Sequence, residues 1–148
     1  MVYFIYNGID SRQYNMVLTK TPNRVRPPRI YNEQVAYGGD GSIITPLGYG
    51  SYDIVLNVGI TDTEHIDDIC SWLTGKGKLI ISDDIDKYMN VYFLEQIDFE
   101  KLMKFRTASI TVRCQPFRYS ANDATYSSTQ KTFTVKNAGN YVSRPCVT

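Results

Sequence analysis

The residues able to do chemistry in this chain are few and scattered. The single histidine, His65, directly follows Glu64 at the start of a helical pattern. It lies off the apolar stripe of that pattern, so it is expected in solvent. Nucleophilic catalysis needs a nucleophile, a base and an orienting group within reach of one another, and nothing in the spacing supplies that set. The cysteines Cys70, Cys114 and Cys146 form no C-x-x-C pair. With one histidine they offer no zinc ligand set of ordinary spacing. They are expected as reduced, buried thiols, and their odd number argues against a disulfide framework. Asp83, Asp84 and Asp86 resemble part of a calcium loop, but the glycine and the distal glutamate of that pattern are missing. They read as a solvated turn. Gly38-Gly39-Asp40-Gly41 and Gly48-Tyr49-Gly50 lead neither into G-K-[ST] nor into a helix, so they are not phosphate loops. No catalytic, cofactor-binding or metal-binding residue is assigned, and no enzyme activity is expected.

One cluster has binding character. Arg24, Arg26 and Arg29 stand close to Tyr31 and Tyr37, a charge-plus-aromatic mix found in binders of single-stranded nucleic acid. The chain's formal net charge is only +1, which favours protein contacts over nucleic acid. Arginine's planar fork gives directional pairing to carboxylates. The acidic residues Asp62, Glu64, Asp67 and Asp68 of a second copy are a suitable partner.

The elements that position these residues are mostly strands. Met1–Tyr6 reads as a first strand, and Asn7-Gly8 as a hairpin turn. Met16–Lys20 is a second short strand. Residues 21–45 carry Pro22, Pro27 and Pro28 and the glycine cluster, which predicts an extended, partly β arm projecting from the core. Tyr52, Ile54, Leu56 and Val58 alternate, as a half-buried strand requires. Residues 61–74 then read as the one helix. Thr61 and Glu64 form a capping box, Ile66, Ile69, Cys70 and Leu73 share a face, and Gly75 provides the stop. Lys76-Gly77-Lys78 reads as a turn before a strand at Leu79–Ser82. Further strands are expected at Tyr88–Ile97 and Thr107–Cys114. From Ser120 to Thr129 the composition is that of a linker. Strands are expected again at Lys131–Lys136 and Ser143–Thr148, which would open a second, incomplete domain over residues 121–148.

At 148 residues with 43% hydrophobic content, the chain can build one full domain. Twelve tyrosines suit half-buried strand faces and interfaces. The apolar N-terminus is too short for a signal segment, and no stretch reaches transmembrane length. The expectation is a protein without membrane insertion that assembles in a cytoplasm.

The order of these features resembles the N-terminal domain of the distal tail protein (Dit) family of long-tailed phages, over about residues 3–119. The resemblance rests on Tyr6-Asn7-Gly8-Ile9-Asp10-Ser11, on Tyr37-Gly38-Gly39-Asp40-Gly41, and on Ser71-Trp72-Leu73-Thr74-Gly75 followed by Gly77–Asp84. It continues through the aromatic strand Tyr88–Phe93 to the closing run Val112–Tyr119. Trp72, Leu73, Gly75, Pro116 and Tyr119 are its landmarks. It implies a mainly β fold with one α-helix, a sandwich or barrel-like core related to tail-tube proteins, and an extended β-hairpin arm over residues 21–45. Residues 1–120 would be the ring-forming domain.

The resemblance also implies a hexameric ring around a DNA channel at the virion tail tip, built in the host cytoplasm without a cofactor. Its partners would be further copies of itself, the major tail-tube protein, the tail-tip hub or tail-associated lysin, and a receptor-binding protein. DNA would only pass through. Arg24, Arg26, Arg29, Tyr31, Tyr37, Asp40, Asp67 and Asp68 are the expected interface residues. Two alternatives stay open: another tube-like tail subunit that builds stacks, and a carbohydrate-binding sandwich used in host recognition.

Overall fold

The computed structural model describes residues 1–147. β1 (Phe4–Tyr6) turns through Asn7 and Gly8 into β2 (Ile9–Asp10). Both turn residues have positive φ, 51° and 82°, which a two-residue hairpin of this hand demands. A 3-10 turn at Ser11–Tyr14 leads to β3 (Met16–Lys20). β4 (Arg29–Val35) and β5 (Ser42–Tyr49) follow, then β6 (Tyr52–Ile60), α1 (Ile66–Trp72), β7 (Gly75–Ile81), β8 (Lys87–Phe93), α2 (Phe99–Phe105) and the long β9 (Thr107–Ser120).

Seven strands form one antiparallel sheet in the order β2-β1-β7-β8-β9-β6-β3. The sheet curls until its ends meet. Val2, just ahead of β1, bridges Leu18 of β3, with Leu18 N–H donating to the Val2 carbonyl at 2.8 Å. The result is a curled, barrel-like sheet whose two ends are joined by a single bridge.

Alternation sets what fills it. Ile54, Leu56, Val58 and Ile60 of β6 point inward, and the first three lie opposite Val112, Ile110 and Ala108 of β9. Cys114, Val91, Phe93, Leu79, Phe4, Tyr6, Met16 and Leu18 complete the core. The mainly β, barrel-like fold is as the sequence implies.

Several local expectations are corrected. The helix begins at Ile66, not Thr61, and the Thr61–Glu64 capping box does not form. Thr61 N–H is tied to the Asn15 carbonyl at 3.2 Å, which holds it as a continuation of β6. The Asp62 carboxylate instead accepts Glu64 N–H at 3.2 Å. That local turn uses up the first part of the expected helix. Gly75 does take positive φ, 68°, but as the first residue of β7.

Lys76-Gly77-Lys78 is strand rather than turn, paired with Tyr92, Val91 and Asn90. β8 ends at Phe93, short of Ile97, and a second helix follows. Asp98 caps α2 by accepting Lys101 N–H at 2.9 Å, Arg106 ends it at φ 60°, and Leu102 is fully buried. β9 runs on past Cys114. Its register against β8 slips between Met89 and Val91, and Pro116 lies in the extra length, where its missing N–H breaks no ladder bond.

Residues 121–147 form neither strand nor helix. The strands expected at 131–136 and from 143 on have no partner strand to pair with, and Thr148 lies outside the described residues. Cys114 is buried, but Cys70 is only half-buried and Cys146 is exposed. Cys70 sits at the margin of the α1 face, with Ile69 and Trp72 taking the interior.

Candidate functional site

Among the described residues the arm is a hairpin whose strands pair only with each other. β4 and β5 form a separate two-stranded sheet. Their turn, from Ala36 to Gly41, needs positive φ at Gly38 and Gly41, 78° and 89°. The hairpin spans 29–49, so the arm lies later than residues 21–45. The stretch before it, 21–28, crosses back over the barrel instead: Pro22 is buried there, and Arg24 pairs with Asp83 at 2.9 Å.

Residues directly opposite one another in a hairpin share a face. Tyr31 opposes Pro46, Glu33 opposes Ile44, and Val35 opposes Ser42. One face therefore presents Tyr31, Val35, Ile44 and Pro46, with Ser42 donating to Glu33 at 2.6 Å. Ile43 lies on the other face, across from Gln34. Val35 is 71% exposed, Leu47 66% and Ile44 60%. A two-stranded hairpin is marginal by itself in water, and so much exposed apolar surface on one projection makes the arm the candidate interaction surface.

The structure separates the residues expected to act together. Arg24 is taken by Asp83, and Arg29 donates to the Tyr49 hydroxyl at 3.2 Å with its guanidinium 5.1 Å from that ring. Arg26 is exposed, Tyr31 is half-exposed, and Tyr37 at the tip is fully exposed, with Asp40 beside it in the turn. Asp67 and Asp68 stand exposed on the first turn of α1, where they complement its positive end. Asp68 lies 3.4 Å from His65 Nδ1. The arm's own surface is therefore apolar more than cationic. Ile30, Val35, Ile43, Ile44 and Leu47 were not singled out from the sequence: Ile43 and Ile44 are adjacent and Pro46 follows, so residues 42–47 show no clean strand alternation.

Trp72 anchors the other end of the barrel. Its ring stacks on Phe4 at 5.5 Å and meets Tyr14 at 5.1 Å. Leu73 beside it is buried. Tyr119 stacks on Tyr88 at 5.5 Å.

A groove beside the 21–28 stretch is floored by Ile54, Ile81 and Met89. Its rim charges are already paired: Arg118 and Lys87 with Asp84 at 2.9 and 3.7 Å, Arg24 with Asp83. Among the described residues no group of His, Cys, Asp or Glu is arranged to hold a metal. Burial pushes the Cys114 thiol up to about 12, with the Asp53 charge adding to it, and burial also raises Cys70. Neither thiol is poised as a nucleophile. No helix of the described residues is long and apolar enough to cross a membrane.

No family model matches the chain, and no curated protein matches it. Among solved structures it is similar to the SPP1 Dit protein, described as a paradigm of the hub adsorption apparatus in phages infecting Gram-positive hosts. The two share 18% sequence identity at a TM-score of 0.60, over 81% of this chain and 52% of that one. The chain thus spans about half the length of that structure, and what the two have in common is the fold: a Dit-like curled barrel.

Proposed function

We propose that this chain is a structural, non-enzymatic component of a phage tail tip that closes into a ring, six copies round, through its hairpin arms. The observation that carries the reading is the arm itself. Outside the curled main sheet, the chain projects a separate hairpin with two free edges and an apolar face. Each copy offers its arm on one side and receives a neighbour's on the other, and such head-to-tail contacts generate a ring when the rotation closes. The Tyr31, Val35, Ile44 and Pro46 face docks on the neighbour, and the free edges add strand pairing there. Arg26 and the tip residues Tyr37 and Asp40 set the register, with Asp67 and Asp68 of α1 as the partner for the arginine.

The Dit-like fold supports a place between the tail tube and the tip hub, with tube protein, hub or lysin, and receptor-binding protein as neighbours and DNA passing through the ring. The chain would assemble in the host cytoplasm and end at the virion tail tip. The test is removal of the hairpin, with residues 30–48 replaced by a short glycine turn. Size-exclusion chromatography with light scattering should then give a folded single chain. Rings persisting without the hairpin would reject the arm as the joint.

A further inference from the structure

The stretch after β9 has no regular structure, yet it is tied to the body at Ala121, whose N–H donates to the Asp86 carbonyl at 2.7 Å, and again further on. Asn137 and Tyr141 shape a closed turn. The Asn137 side-chain amide donates to the Tyr141 carbonyl at 2.7 Å, and its oxygen accepts Gly139 N–H at 2.9 Å. That turn lays the Tyr141 ring on Phe117, with centroids 4.3 Å apart and planes 30° from parallel. Tyr141 also meets Tyr49 edge-on at 6.0 Å, and Tyr49 meets Phe117 edge-on at 5.7 Å. These three rings come from three different places. Tyr49 is the last residue of the arm. Phe117 lies on β9 beyond Cys114, where the pairing with β6 stops. Tyr141 comes from the segment that follows the barrel.

The contact sits at the point where the arm leaves the body. Gly50 N–H donates to the Pro28 carbonyl at 2.7 Å and closes the arm's base. Arg29, the first arm residue, donates to the Tyr49 hydroxyl at 3.2 Å. The aromatic trio is a side-chain contact that joins arm, barrel and following segment. We propose that Tyr141 is a clasp. Docked, it fixes the angle at which the hairpin leaves the barrel. Released, it lets the hairpin swing. Whatever pulls on or displaces residues 121–147 therefore acts on the arm. The ring geometry is of the kind aromatic pairs prefer, and the segment holding Tyr141 has no strand or helix to keep it in place, so it can come away without unfolding the barrel.

The test is hydrogen exchange of the intact chain, its Tyr141→Ala and Tyr141→Phe variants, and a chain ending at residue 120, with assembly state read by light scattering on the same samples. Comparing samples of equal assembly state separates the clasp from the ring. In Tyr141→Ala and in the shortened chain, amides at the arm base, residues 29–31 and 47–50, should exchange faster by about two- to tenfold, with β6 and β9 unchanged. Tyr141→Phe keeps the ring and should match the parent. Equal arm-base exchange in the parent and Tyr141→Ala would overturn the proposal. So would barrel amides quickening as much as the arm, or Tyr141→Phe behaving like alanine.

Discussion

The indole N–H of Trp72 donates to the backbone carbonyl of Tyr6 at 3.0 Å, across 66 residues of sequence. This bond ties the last residue of α1 to the end of β1. The same indole stacks on Phe4, and the Tyr6 ring packs edge-on against Phe93 at 4.9 Å. The helix is therefore the lid of an aromatic plug that closes one end of the barrel. Trp72→Phe keeps the stack and loses the bond, and should cost about 1 kcal/mol. Trp72→Ala opens a cavity and should cost ~3–5 kcal/mol. Denaturant unfolding of both variants checks the order; equal losses would mean the stacking contributes nothing.

Asn7 and Gly77 form a second joint. Asn7, in the left-handed region, accepts Lys78 N–H through its side chain at 3.0 Å. That side chain lies where a Cβ on residue 77 would be, so Gly77→Ala must push it away. Its loss should cost about 1–2 kcal/mol in stability. On an Asn7→Gly background, where the obstructing side chain is gone and the turn stays allowed, the same change should cost much less. A double-mutant cycle reads the difference, and strict additivity would show the two positions to be independent.

Stability should fall at alkaline pH. Burial raises Tyr6, with the Asn7 side chain partly opposing it, and burial chiefly raises Tyr52; Cys114 is pushed up to about 12. Each group is held neutral in the fold and ionises first in the unfolded chain. The stabilisation is therefore fully present below the ordinary thiol value of 9.0 and is lost as pH climbs from there towards about 12. For Cys114 the loss is on the order of a few kcal/mol. A melting series across that window checks the sign. At neutral pH a thiol reagent should modify exposed Cys146 first and leave Cys114 untouched until unfolding. Equal labelling of all three cysteines would contradict this burial.

The arm face should matter to assembly and not to folding. Val35→Lys and Ile44→Lys place charges on exposed positions, the second across from Glu33 where the signs are opposite, so melting temperature should hold within a degree or two, because surface changes of this kind shift stability by about 0.5 kcal/mol or less. Assembly should be lost, because a charge buried in an apolar contact costs several kcal/mol. Light scattering and melting curves on the same samples separate the two effects.

The strands with clean alternation were legible in the sequence. Ile54, Leu56 and Val58 on β6 and Ala108, Ile110, Val112 and Cys114 on β9 point inward as their period says. Lys76-Gly77-Lys78 misleads, because its glycine serves the close approach of Asn7 and not a turn. α2 was hidden because it is short and partly wet: Leu102 is buried while Met103 and Phe105 remain exposed. At the arm, the exposed surface also carries Val35, Ile43, Ile44 and Leu47, whose exposure no local sequence pattern encodes. The pairing of Arg24 with Asp83 joins positions 59 apart, and no local pattern encodes a contact of that span.

Negative-stain imaging of the purified chain, alongside light scattering, tests the ring most directly. The intact chain should give closed rings with a mass of six copies, and the form lacking residues 30–48 should give single folded chains. An intact chain that stays single at every concentration, or rings that survive loss of the hairpin, would contradict the account.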